Sequence, residues 1–158
     1  MVDYFLKMDG VAGDSHDAHH RDEIEVLSFS WGESNLSAPS SGTGGGAGRV
    51  EMEDFHFTTL TGSASPKLML LCANGRHVVS AVLVVRRPGP SLQEFLKLTF
   101  SDVTVSSYRI GGSTGDVPVD QVSLRFGKVQ IDLKPLKATG ALGAAIHGGW
   151  DVKLNKAI

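Results

Sequence analysis

Through most of this chain apolar residues recur at every second position, between breaks that carry Gly or Pro, and that two-residue period limits the fold more than any other feature. Successive side chains of a strand point to opposite faces, so each alternating segment can bury one face and leave the other wet. Seven to nine strands are expected. They begin with residues 2–8 and 23–33 and continue with a segment from Val50 to Phe57. A Val- and Ala-rich run over residues 76–87 turns at Pro88-Gly89-Pro90 into a partner carrying Phe95, Leu96, Leu98 and Phe100. Further strands cover 103–110, Val122 to Leu133 and 150–154.

In three places the apolar parity slips by one. Ile24 and Val26 give way to Leu27, Phe29 and Trp31; Val50 and Met52 to Phe55 and Phe57; Val122, Leu124 and Phe126 to Val129, Ile131 and Leu133. One extra residue in a strand is what a β-bulge supplies, and bulges let a sheet curl. The expectation is therefore a barrel-like sheet. One segment leaves the pattern: Ser65-Pro66, then 67–73, then Asn74-Gly75. Ser65 can cap a helix, Pro66 suits its first turn and Gly75 can end it in the left-handed conformation, so one short helix is expected, with Leu68, Leu71 and Cys72 towards the sheet.

Composition then removes several function classes. The 158 residues fit one domain, spanning 1–158, and 41% hydrophobic residues suffice for a core. A formal charge of −2 is no footprint for phosphate backbones or anionic lipid, so no nucleic-acid partner and no membrane insertion are expected. The longest nearly apolar run, 78–85, is far short of a membrane helix. The first ten residues lack the basic and apolar regions of a secretory signal, and the lone Cys72 permits no internal disulfide.

Candidate chemistry is sparse. Gly111-Gly112-Ser113-Thr114-Gly115 matches the spacing of a nucleophile elbow, but a strand follows it where that elbow needs a helix. Gly42-x-Gly44-x-x-Ala47 resembles a dinucleotide fingerprint without the helix that would hold the pyrophosphate. His16, His19 and His20, beside Asp14, Asp17 and Asp22, are a ligand-like cluster in a polar segment with nothing evident to fix its geometry. His56, His77 and His147 have no nucleophile beside them by local spacing. No catalytic, cofactor or metal residue is assigned. A hydrolase using Ser113 and a metal module using the three histidines are the competing readings.

The order of several features is more informative: Asp22-Glu23-Ile24, Trp31-Gly32 ending a strand, the Gly-rich run to Gly48, Ser65-Pro66-x-Leu68-Met69, Cys72-x-x-Gly75, His77, and Val105-Ser106-Ser107. Almost end to end, this resembles Hcp, the haemolysin-coregulated protein family of bacterial type VI secretion systems. Departures fall over 138–149 and at the histidine cluster. The resemblance implies a mainly β fold, a two-sheet β-barrel with one short helix, and a non-enzymatic structural subunit. It implies hexameric rings stacked into a tube, with a contractile sheath, a spike tip protein and secreted effectors as partners. It also implies synthesis in the bacterial cytoplasm and export through the apparatus. A tail-tube protein of a phage or related contractile particle is the alternative.

A ring needs heterologous contacts, and strand edges must be paired or covered. The polar, Gly-rich segment 37–48 holds five of the 19 glycines and reads as a mobile or partner-ordered insertion. Its residues Pro39, Ser40, Ser41, Gly42, Thr43, Gly44, Gly45, Gly46 and Gly48, together with Trp31, are the candidate subunit-interface residues. Trp31 and Trp150 are expected in core or interface packing.

Overall fold

The two-residue period is realised in a computed structural model that describes residues 1–35, 49–89 and 91–158. In chain order the elements are β1 (Asp3–Met8), β2 (Ile24–Glu25), β3 (Ser28–Ser30), β4 (Glu33–Asn35), β5 (Val50–Met52), β6 (Phe55–Leu60), α1 (Ser65–Asn74), β7 (Val78–Arg87), β8 (Gln93–Gly111), β9 (Val119–Arg125), β10 (Lys128–Leu133), β11 (Ile146–Asp151) and β12 (Lys156–Ala157). One sheet runs β12-β11-β10-β8-β7-β1-β2; a second pairs β3, β6, β9 and the far half of β8; β4 and β5 form a separate ribbon. All the ladders are antiparallel.

The fold is mainly β with one helix, as expected, but it is two sheets joined through β8 and not a closed barrel. The parity slips explain the difference. Each falls between two strands: Val26 and Leu27 separate β2 from β3, Glu53 and Asp54 separate β5 from β6, and Phe126 and Gly127 separate β9 from β10. At each slip the chain leaves one set of ladder partners for another; Val26 N–H still donates to Tyr4 O, while Leu27 N–H already donates to Thr58 O. The register shifts instead lie at Val85/Arg86 and Val105/Ser107.

Two expected strands merge into one. β8 runs for 19 residues, pairing β7 and β10 as far as Val103 and then β9 from Thr104. At the changeover Asp102 takes φ 54°, a left-handed conformation that a non-glycine residue adopts at a cost of roughly 1 kcal/mol. Its carboxylate accepts a hydrogen bond from Lys153 Nζ at 2.9 Å and lies 2.6 Å from His77 Nδ1. Those contacts pull its carboxyl below the usual range, His77 contributing most. The β7–β8 hairpin stands where Pro88 and Gly89 put it, the strand expected over 150–154 begins earlier, as β11 at Ile146, and a further short strand, β12, follows it.

Between the sheets lie Leu6, Phe55, Leu83, Phe100, Val103 and Leu124, all fully buried. Phe100 joins the rings, 4.7 Å from both Phe55 and Phe126. α1 adds Leu68 and Leu71 to this core and ends at Gly75 with φ 68°. Met69 and Leu70 remain exposed. The cap differs from expectation. Ala64 occupies the N-cap position, and Ser65 sits inside the first turn, where its hydroxyl donates to the buried Asp120 carboxylate at 2.5 Å. Thr61 and Tyr108 hydroxyls also donate to Asp120, at 2.8 and 3.0 Å, so this carboxylate ties α1 to β8 and β9.

Candidate assembly surface

Of the candidate interface residues, Trp31 is described and the nine from Pro39 to Gly48 lie outside the described residues. Trp31 follows β3, and its ring meets Phe100 and Phe126 edge-on at 6.3 Å. Its indole N–H donates to Glu53 O at 3.1 Å, which ties it to the base of the β4–β5 ribbon. The other edge of the ring is open. There, a groove of about 220 Å³ is lined by Trp31, Glu33, Val129, Ile131, Gly148 and Trp150. The Trp150 indole N–H is buried in this region and has no hydrogen-bond partner among the described residues. Both tryptophans therefore combine core packing with a place on a surface.

The histidine cluster disperses on folding. Asp14 accepts from the Ser63 amide and hydroxyl, which holds its carboxyl below the usual range. The two oxygens of Asp17 accept from Nη1 and Nη2 of the Arg86 guanidinium, end-on, at 3.0 and 2.7 Å, and Arg86 lies 4.8 Å over the Phe5 ring. This arrangement depresses the Asp17 carboxyl far below the usual range, the Arg86 hydrogen bond being the main cause. His20 is buried and stacked on Phe5 at 4.4 Å, with its two ring nitrogens 3.0 Å from Glu23 and 2.6 Å from Glu94. Asp14, Asp17 and His20 thus fasten this loop to Ser63, to Arg86 of β7, and to Phe5 of β1 and Glu94 of β8, and no cluster able to hold a metal occurs among the described residues.

Ser113 sits in an exposed turn with its hydroxyl donating to Asp116. A pairing that local spacing could not reveal is His56 Nδ1 with Ser123 Oγ, 2.7 Å apart across the β6–β9 ladder and 67 residues apart in sequence. Both strands are paired on each side, so their backbone amides are engaged in ladders and offer no oxyanion site. These residues line a cavity of about 350 Å³ in which Ser28, Ser30, Ser107 and Arg109 stand beside Phe29, Phe57 and Val122.

Fold and site together define a class: a mainly β protein with one helix whose functional features are surfaces and whose polar groups serve as structural ties. The family described as "Type VI secretion system effector, Hcp" matches residues 5–133. Protein hcp1 of Pseudomonas aeruginosa is 41% identical over 157 residues, covering 98% of this chain and 97% of that relative. The crystal structure of Hcp1 from Salmonella typhimurium superposes with a TM-score of 0.81 at 34% identity, over 99% of both chains. A solved type six secretion system protein gives 0.92 at 31% identity, over the whole of both. The chain belongs to the Hcp family of type VI secretion system proteins.

Proposed function

We infer that the chain is a tube-forming subunit of a type VI secretion apparatus, and that it works by assembly and enclosure. The observation that carries this reading is the end-to-end likeness to Protein hcp1, which extends past the family match at residue 133 through the last strands. That match favours the secretion system over a phage-type tail tube. Residues 1–158 act as one domain, six copies close a ring, and rings stack into a tube inside a contractile sheath, with a spike tip protein ahead and effectors within. In the ring the two sheets of each subunit form a barrel-like wall. The protein acts as a structural part and not as a catalyst; it is made in the bacterial cytoplasm and leaves through the apparatus. No helix among the described residues is long and apolar enough to cross a membrane.

Light scattering coupled to size exclusion, with negative-stain microscopy, tests this: rings with an open centre are expected, and a monomer at all concentrations would overturn it. The segment from Pro39 to Gly48 is the proposed arm towards a neighbouring subunit, because its glycines permit close backbone approach and it joins β4 to β5 in sequence. Replacing residues 37–48 with a short turn is expected to give a folded protein with impaired ring formation or stacking. Rings and stacks like those of the parent would remove the arm from the interface.

A further inference from the structure

The formal charge of −2 conceals two opposed surfaces. The β4–β5 ribbon and its base carry Glu33, Glu51 and Glu53, all exposed, with Arg49 as the cation beside them. Glu33 stands on the rim of the groove between Trp31 and Trp150, and Glu51 and Glu53 line the other strand of the same thin ribbon. The outward face of α1 is the converse. Met69 and Leu70 are about half exposed, Lys67 and Arg76 flank them, and the helix has no acidic residue. Among the described residues none of these three glutamates, nor Lys67 or Arg76, makes a salt bridge. α1 packs on β8 through its opposite face, and no other strand among the described residues covers this one.

We propose that the outer face of α1, Met69 and Leu70 between Lys67 and Arg76, docks onto the Trp31–Trp150 groove and acidic ribbon of a neighbouring copy of the chain. The occupant is assigned by complementarity. An apolar, cationic ridge and an aromatic, anionic recess on one chain are the two unlike patches that a head-to-tail contact requires. Methionine and tryptophan are the side chains that interface centres favour, and the opposed charges fix register more than they add affinity. The proposal rests on the ring-forming reading and names the two surfaces that meet.

Charge exchange tests it, read by native mass spectrometry and light scattering at low and high salt. Lys67→Glu with Arg76→Glu makes a helix variant; Glu33→Lys with Glu51→Lys makes a ribbon variant. Each alone is expected to associate about tenfold more weakly than the parent while keeping its circular dichroism spectrum and melting temperature. An equimolar mixture should recover assembly, since each variant's helix then meets the other's ribbon with opposite charge. Met69→Gln with Leu70→Gln, which changes no charge, should weaken assembly at any salt concentration. Parent-like assembly of the helix variant, or failure of the mixture to recover, would overturn the docking while leaving the ring reading intact. A monomeric parent protein would overturn both.

Discussion

At the scale of single residues, the ion pair of Asp17 with Arg86 joins an irregular loop to the end of β7. Arg86 is about one-tenth exposed, so its charge needs that partner, and Asp3 supports it at 3.3 Å. The folded state holds the Asp17 carboxyl far below its ordinary range. The stabilisation is therefore complete above the unfolded value near pH 3.9 and drains away as pH falls towards the folded one. Thermal melts of the subunit should be level from about pH 7 to 5 and then decline. Asp17→Asn should melt lower at neutral pH and lose less on acidification; identical pH profiles for the two proteins would show that the pair does not anchor the loop.

At the scale of elements, the loop between β1 and β2 also depends on backbone proximity. A Cβ built on Gly13 would stand 2.4 Å from the carbonyl oxygen of Glu23, and Gly13 N–H and Ser15 N–H donate across the same gap to Asp22 O and Glu23 O. Backbone atoms on both sides cannot yield as a flexible side chain would. Gly13→Ala should therefore lower the melting temperature by several degrees, about 1–3 kcal/mol, whereas Gly10→Ala, which meets nothing within 4 Å, should be limited to the strain of its φ of 77°. Equal losses at the two positions would refute the crowding at Gly13. Elements whose ends are marked by local chemistry were legible in sequence. α1 has Pro66 and Gly75, and the β7–β8 hairpin has Pro88 and Gly89. The slips were legible as slips but not as strand breaks, because parity records which face is apolar and not which neighbour a strand pairs with. Trp31 could be chosen as a surface candidate from its place after β3. The groove it shares with Trp150 could not, since their approach depends on β10 and β11 pairing beneath the ribbon. The exposed helix face was likewise hidden, because Met69 and Leu70 are known to be left outside, in the same stretch as Lys67 and Arg76, only once Leu68 and Leu71 are seen to be buried.

At the scale of the whole molecule, net charge proves a poor guide to association, since opposite patches cancel in the sum while remaining available to a neighbour. Most residue contacts here are distant in sequence, and β1, the first strand, pairs with β7, so neither sheet consists of one continuous piece of chain. Hydrogen exchange should accordingly find the amides of β7, β8 and β9 protected to a common extent and released together, where separately folding sheets would give two distinct levels. The pivot at Asp102 gives that unity a mechanical meaning. β8 passes from one sheet to the other without a loop, so a push delivered to either sheet is transmitted along a covalent backbone and not through a joint. Through that shared strand a displacement of one sheet is passed directly to the other.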